Sequence, residues 1–193
     1  MKIAKKMCIT SSILLFVLLF IVAGYIVFYN NEEKDERIRI ITENYKTEII
    51  LYGEDISFDD SCYVRHIDTI SKEELTSDTE YIYSVFIIND LNGTVELSQD
   101  ELEIIKSKVF DDKIDLFYFG RNNYQNFVDA GIFSQEFNAN DMFLGVIYEN
   151  EIKTELLGVW DTTANELYKT KNEKLLADNI YDAITSKIRY DNR

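Results

Sequence analysis

The residues best placed for chemistry are polar side chains that follow apolar runs. Asp90 and Asn92 follow Val85-Phe86-Ile87-Ile88, Arg121, Asn122 and Asn123 follow the run Ile114 to Phe119, and Asp161, Thr162 and Thr163 follow a third segment that ends at Trp160. If these runs are strands of an open α/β sheet, the polar groups lie at strand carboxyl ends, where such sheets bind ligands. Arg121 would then pair with an anionic group, and the N-terminus of the following helix would add partial positive charge. Asn, Asp and Thr are also what turns and helix caps require, so a ligand site needs at least two of these loops to converge.

Other chemistry finds less material. Cys62 and His66 invite comparison with a nucleophile and its base, but on a strand four residues span about 13 Å, far beyond hydrogen-bond reach. The pairs Asp59-Asp60 and Asp111-Asp112 lack the alternating ligands and central glycine of a calcium loop. The chain contains no Walker A lysine motif, no G-x-G-x-x-G after a strand, no G-x-S-x-G elbow and no H-E-x-x-H. With two cysteines and one histidine, the expectation is no catalytic residue, no metal and no cofactor.

Around these residues the pattern reads as alternating strands and helices. Ile38, Ile41, Tyr45 and Ile49 recur at helical intervals and predict a helix from Asn31 to Tyr52, and Cys62 to Ile67 reads as a strand. Ser71 with Glu74, and Ser98 with Glu101, have capping-box spacing. The strand beginning at Tyr83 is followed by an amphipathic helix carrying Leu102, Ile105 and Val109. Ile114 to Phe119 is a second buried strand, in which Phe117-Tyr118-Phe119 alternates between two core faces. Asn122 or Asn123 then caps a helix with Tyr124, Phe127, Val128 and Ile132. Met142 to Tyr148 and Thr154 to Trp160 are joined too tightly for a parallel crossover and predict a hairpin. Leu176, Ile180, Ala183, Ile184 and Ile188 define a last helix. The expected fold is a three-layer α/β sandwich with a mostly parallel sheet and one antiparallel edge hairpin.

The succession of buried strand, acidic turn, amphipathic helix, buried strand and glycine loosely resembles flavodoxin-like and glutamine-amidotransferase-like domains over about a third of the chain. Those amidotransferases are known for a cysteine nucleophile on a sharp turn after a strand. Gly120-Arg121-Asn122-Asn123 holds no cysteine, so the resemblance implies no site residue here.

At the N-terminus, Lys2, Lys5 and Lys6 precede an uncharged run from Met7 to Tyr29. A helix of that length rises about 34 Å, against a hydrocarbon layer of about 30 Å. The reading is a basic cytoplasmic tail over 1–6, a transmembrane signal-anchor helix over 7–29 and an extracytoplasmic domain over 30–193, giving a single-pass cell-membrane protein. A signal peptide cleaved near Val22-Ala23-Gly24 is the alternative. The 25 isoleucines against 7 alanines suggest an AT-rich, bacterial genome.

The formal net charge of −15 opposes binding to nucleic acid. The expected function is therefore a membrane-anchored binding or interaction module for a protein, peptide or cell-envelope ligand. The alternative is a tethered hydrolase or transferase using carboxylates such as Asp90 and Asp161 at the carboxyl edge of the sheet.

Overall fold

A computed structural model describes residues 2–76, 80–120, 122–134, 142–149, 152–159 and 166–191. Among the described residues the chain is a mixed α/β protein with a six-stranded sheet and four helices. Helix α1 (Lys2–Arg39) passes into a π-helical turn (Ile40–Asn44) and then strands β1 (Thr47–Gly53), β2 (Val64–Ile67) and β3 (Tyr83–Asp90). Helix α2 (Gln99–Phe110), β4 (Asp115–Gly120), α3 (Tyr124–Asp129), β5 (Met142–Glu149), β6 (Ile152–Val159) and α4 (Glu166–Asp191) follow. The sheet order is β2-β1-β3-β4-β5-β6. The first four strands are mutually parallel, while β5 runs antiparallel to β4 and pairs with β6 as a hairpin, Glu149 opposite Ile152.

Two apolar clusters cover the two faces of this sheet. Ile50, Phe86, Ile88, Leu116 and Tyr118 pack with Leu102, Ile105 and Val109 of α2 and Phe127 of α3. The residues between them in sequence, Ile49, Leu51, Val85, Ile87, Phe117 and Phe119, pack on the other side with Ile38 from the end of α1, Ile41 of the π-helical turn and Leu176, Ile180 and Ile184 of α4. Strands buried on both faces need apolar residues at every position rather than at alternate ones, which is why β3 and β4 are written as continuous runs. The α2 start carries the full reciprocal cap: Glu101 N–H donates to Ser98 Oγ, and Ser98 N–H donates to the Glu101 carboxylate. The Ser71–Glu74 spacing makes a similar bond, Glu74 N–H to Ser71 Oγ at 3.1 Å, but caps only a turn.

Two expectations are corrected. The helix read over Asn31 to Tyr52 ends early: Lys46 turns into a left-handed conformation (φ 47°) and Thr47 begins β1, which lies between β2 and β3. Ile38 and Ile41 are helical core residues, whereas Ile49-Ile50-Leu51 is a strand buried on both faces.

The second correction concerns the N-terminus. The segment 7–29 belongs to α1, which runs without interruption past residue 30 and into the core. Among the described residues no helix is long and apolar enough to cross a membrane, which overturns the single-pass membrane placement with a cytoplasmic tail and an outside domain. At Asn30-Asn31-Glu32-Glu33 the helix turns polar while remaining continuous with its buried end. Leu18, Phe20, Ile21, Tyr25 and Phe28, ahead of this point, are exposed.

The end of α1 is held by polar contacts. Lys34, fully buried, donates from Nζ to Ser57 O (2.6 Å) and to Glu173 Oε2 of α4 (3.2 Å), and lies over the Phe58 ring. Cys62 Sγ lies 3.3 Å from the Asp35 carbonyl and donates to it. Burial first, then the Asp35 and Asp59 charges, pushes this thiol up to about 11. Because the folded chain keeps the thiol proton that the unfolded chain releases near 9, the contribution is intact below that value and is lost as pH rises toward about 11. Iodoacetamide at pH 8 is therefore expected to label native Cys62 at least about tenfold more slowly than in denaturant, read by mass spectrometry. Equal rates would contradict this environment.

Candidate functional site

At the carboxyl edge of the sheet, the end of β3 and the end of β4 meet around one hydroxyl. Tyr118 Oη donates to Asp90 Oδ2 (3.0 Å) and accepts the backbone N–H groups of Asn122 and Asn123 (3.1 Å each). Asn123 Nδ2 donates to Asp90 Oδ2 (3.2 Å) and Val95 O (2.9 Å), and Asp90 Oδ1 accepts from Val95 N–H (2.8 Å). Asn122 Nδ2 donates to Gly93 O (2.6 Å), closing the loop after β3 onto the loop after β4. A hydroxyl has one proton and two lone pairs, so Tyr118 is fully committed. Burial raises its pKa well above the ordinary phenol value; the two backbone N–H groups oppose this and Asp90 adds to it.

The structure thus brings Asp90, Asn122 and Asn123 together, as two converging loops require. Asn92 is exposed nearby and donates its backbone N–H to Glu54 Oε1 (2.5 Å), tying in the loop after β1. Arg121, Asp161 and Thr162, with Thr163, lie outside the described residues. Asp90 is fully enclosed, so the network's chemistry is to fasten loops: its donors and acceptors face one another. Tyr118 was read from sequence as core packing, and the Tyr118 ring does pack on Phe127 with centroids 5.0 Å apart. The hydroxyl that organises the edge gave no signal beyond its residue type. Replacing Tyr118 with Phe leaves Asp90 Oδ2 short of a donor and two N–H groups short of an acceptor; the expected cost is about 2 kcal/mol in urea unfolding. A change below about 0.5 kcal/mol would show that the network is not holding the loops.

Cys62 and His66 do not form a dyad, although the strand read from Cys62 begins only at Val64 and Cys62 lies ahead of it. His66 Nδ1 pairs with Asp55 Oδ1 (3.0 Å) at the surface, whereas Cys62 points to the Asp35 carbonyl. Among the described residues no group of three or more His, Cys, Asp or Glu is arranged to hold a metal ion.

Among the described residues an open cavity lies at the opposite, amino edge of the sheet. A cavity of about 360 Å³ is lined by Leu75, Thr76, Ile82, Tyr83, Ser84, Lys108, Asp112, Lys113, Ile114 and Lys187. Three elements deliver its lysines. Lys108 is in the last turn of α2, where a cation complements the helix dipole. It donates to Thr76 Oγ1 (3.1 Å) and pairs with Asp112 (2.8 Å). Lys113 takes a left-handed turn (φ 57°) that starts β4 and sets its ammonium 4.9 Å from the Tyr148 ring centroid. Lys187 reaches from α4 to the buried Asp115 carboxylate (2.6 Å). Beside Ser84 in the β1/β3 register, buried Glu48 gives one oxygen to Arg65 (2.8 Å), while its Oε2 has no hydrogen-bond partner among the described residues.

Sequence reasoning missed this edge. Its residues come from segments far apart in the chain, and the sole legible hint is a lysine in the last turn of α2. Fold and sites together define a mixed α/β protein with a locked carboxyl edge and a lysine-lined cavity at the amino edge. No family model, curated protein or solved structure matches the chain.

Proposed function

We propose that the chain is a binding module, built as a three-layer α/β sandwich, that holds a small ligand in the amino-edge cavity between the start of β3, the end of α2 and the end of α4. The observation that carries this reading is the sign and shape of that cavity. Lys108, Lys113 and Lys187, against the single carboxylate of Asp112, line it together with Leu75, Ile82 and Ile114, in a chain with 35 acidic against 20 basic residues. The cavity is lined more by polar and charged groups than by apolar ones, and convergent polar groups in a concavity are what fix a ligand's orientation. This keeps the expectation of binding rather than catalysis and moves the ligand away from the carboxyl edge, where Asp90 is enclosed by its own loops.

A hydrolase or transferase reading centred on Asp90 has less support, because that carboxylate already accepts from Val95, Tyr118 and Asn123. The test is crystallographic. Crystals soaked separately in benzamide and benzoate are expected to show either molecule against Leu75, Ile82 and Ile114. Density instead beside Asp90 and Asn122, with an empty amino-edge cavity, would reverse the assignment.

A further inference from the structure

From the turn that follows β3 we infer that Asn92 is a site of spontaneous deamidation, in which the backbone nitrogen of Gly93 displaces the Asn92 side-chain amide, and that the hydrogen bonds of the carboxyl edge set its rate. The inference goes beyond the binding reading and does not depend on it.

Asn92-Gly93 is the one Asn-Gly pair in the sequence. Glycine carries no Cβ and so leaves its backbone nitrogen the least hindered of any following residue. Asn92 is exposed, and its side-chain amide has no hydrogen-bond partner among the described residues. Asp90 to Gly93 form a turn closed by Gly93 N–H donating to Asp90 O (3.0 Å), with Gly93 at its last position in the left-handed region (φ 68°). Gly93 O accepts from Asn122 Nδ2 (2.6 Å), and a Cβ on Gly93 would lie 2.9 Å from that nitrogen. The packing of the two loops therefore requires the glycine, and with it the reactive pair.

The reaction needs only water. The Gly93 nitrogen gives its proton to solvent and bonds to Asn92 Cγ; the Cγ–Nδ2 bond breaks, and the amide nitrogen takes up a proton and leaves as ammonia. Water then opens the cyclic succinimide, at Cγ to give aspartate or at the main-chain carbonyl carbon to give isoaspartate. In the folded chain the groups that must move are held. Attack requires Gly93 N–H to leave Asp90 O, and rotation about the Asn92 Cα–C bond swings Gly93 O off Asn122 Nδ2. Asn92 N–H is itself fixed on Glu54 Oε1. Reaction therefore proceeds through a local opening of the loop, and its rate follows the population of that open form. The product does not refit the turn. Aspartate brings a carboxylate beside that of Glu54, and isoaspartate adds a methylene to the main chain, so either loosens the fastening between the loops after β3 and β4.

The experiment is prolonged incubation of the full chain at mildly alkaline pH in water enriched in heavy oxygen, with deamidation mapped by peptide mass spectrometry. In denaturant, Asn92 is expected to react ahead of every other asparagine, to take up heavy oxygen and to yield both aspartate and isoaspartate. The native chain is expected to react at least about tenfold more slowly. Asn122→Ala, which removes the donor to Gly93 O, is expected to raise the native rate about fivefold, with unchanged amide spectra away from the two loops establishing that it is folded. Gly93→Ala, measured in denaturant where crowding against Asn122 is absent, is expected to slow the reaction about tenfold, because the ring then closes onto a hindered nitrogen. The deamidated protein is expected to exchange its Asn123 N–H faster than the untreated one. Another asparagine reacting first in denaturant, equal native and denatured rates, or a folded Asn122→Ala that reacts no faster would each overturn the inference. If Asn122→Ala does not fold, the native and denatured rates of the unmodified sequence decide alone. None of these results bears on ligand binding at the amino edge.

Discussion

Lys34→Ala is expected to destabilise the protein by about 3–5 kcal/mol, measured by urea unfolding, because it takes the Lys34 ammonium from the buried Glu173 carboxyl group. The same change frees Ser57 O and removes the stem that joins α1, α4 and the segment before β2. A buried pair is poor evidence of stability in itself, since two desolvated charges lose nearly as much hydration as they gain in attraction. The diagnostic is thus the double variant. Lys34→Met with Glu173→Leu removes both charges while keeping volume, and is expected to recover most of the loss. If Lys34→Ala costs less than about 1 kcal/mol, the end of α1 is not docked as described.

The second large effect is expected at Gly120. A Cβ there would lie 2.5 Å from Asp90 O, 2.6 Å from Asp90 Cβ and 2.8 Å from Tyr118 Oη. Two of these neighbours are backbone or backbone-attached, and the third is held by three hydrogen bonds, so none can withdraw cheaply. Gly120→Ala must push β4 from β3 at their carboxyl ends or break the Asp90–Tyr118 contact, and is expected to cost more than about 3 kcal/mol. Gly145→Ala is the control: its Cβ would be 3.3 Å from Leu156 Cβ and Cδ1 and from Phe117 Cδ1, contacts that a shift of a few tenths of an ångström relieves, and a loss of less than about 1.5 kcal/mol is expected. Equal costs at the two positions would contradict the locked-edge description.

The fold was legible where one physical requirement wrote one pattern. Strands β3 and β4 must be apolar on both faces, α2 must satisfy its first N–H groups, and the β5–β6 connection is too short for a crossover; each leaves a local signature. Strand β1 was missed because Ile38, Ile41, Tyr45 and Ile49 keep helical spacing across the Lys46 turn, with no glycine or proline to mark the break. The apolar N-terminal run was legible as a helix, but its continuation as a core element depended on Lys34, Ile38 and Ile41 finding α4, a long-range contact that spacing does not encode.

The carboxyl-edge rule correctly assembled Asp90, Asn122 and Asn123, yet the rule says where ligands bind in such folds and not whether the side chains will satisfy one another first. Tyr118 decides that question, and its hydroxyl is three-coordinate in hydrogen bonds. The amino-edge cavity was illegible for a different reason: Thr76, Ser84, Lys113 and Lys187 share no sequence pattern, and only the sheet register and the docking of α4 bring them to one concavity.

The central claim, that the binding surface is the amino edge and the carboxyl edge is closed, is tested most directly by amide hydrogen exchange of the full chain with and without saturating benzoate. The account predicts slowed exchange around Thr76, Ser84 and Lys113 and unchanged, already slow exchange at the Asn123 N–H held by Tyr118. Protection that appears instead at Asn92, Asn122 and Asn123, with the amino edge unaffected, would contradict it.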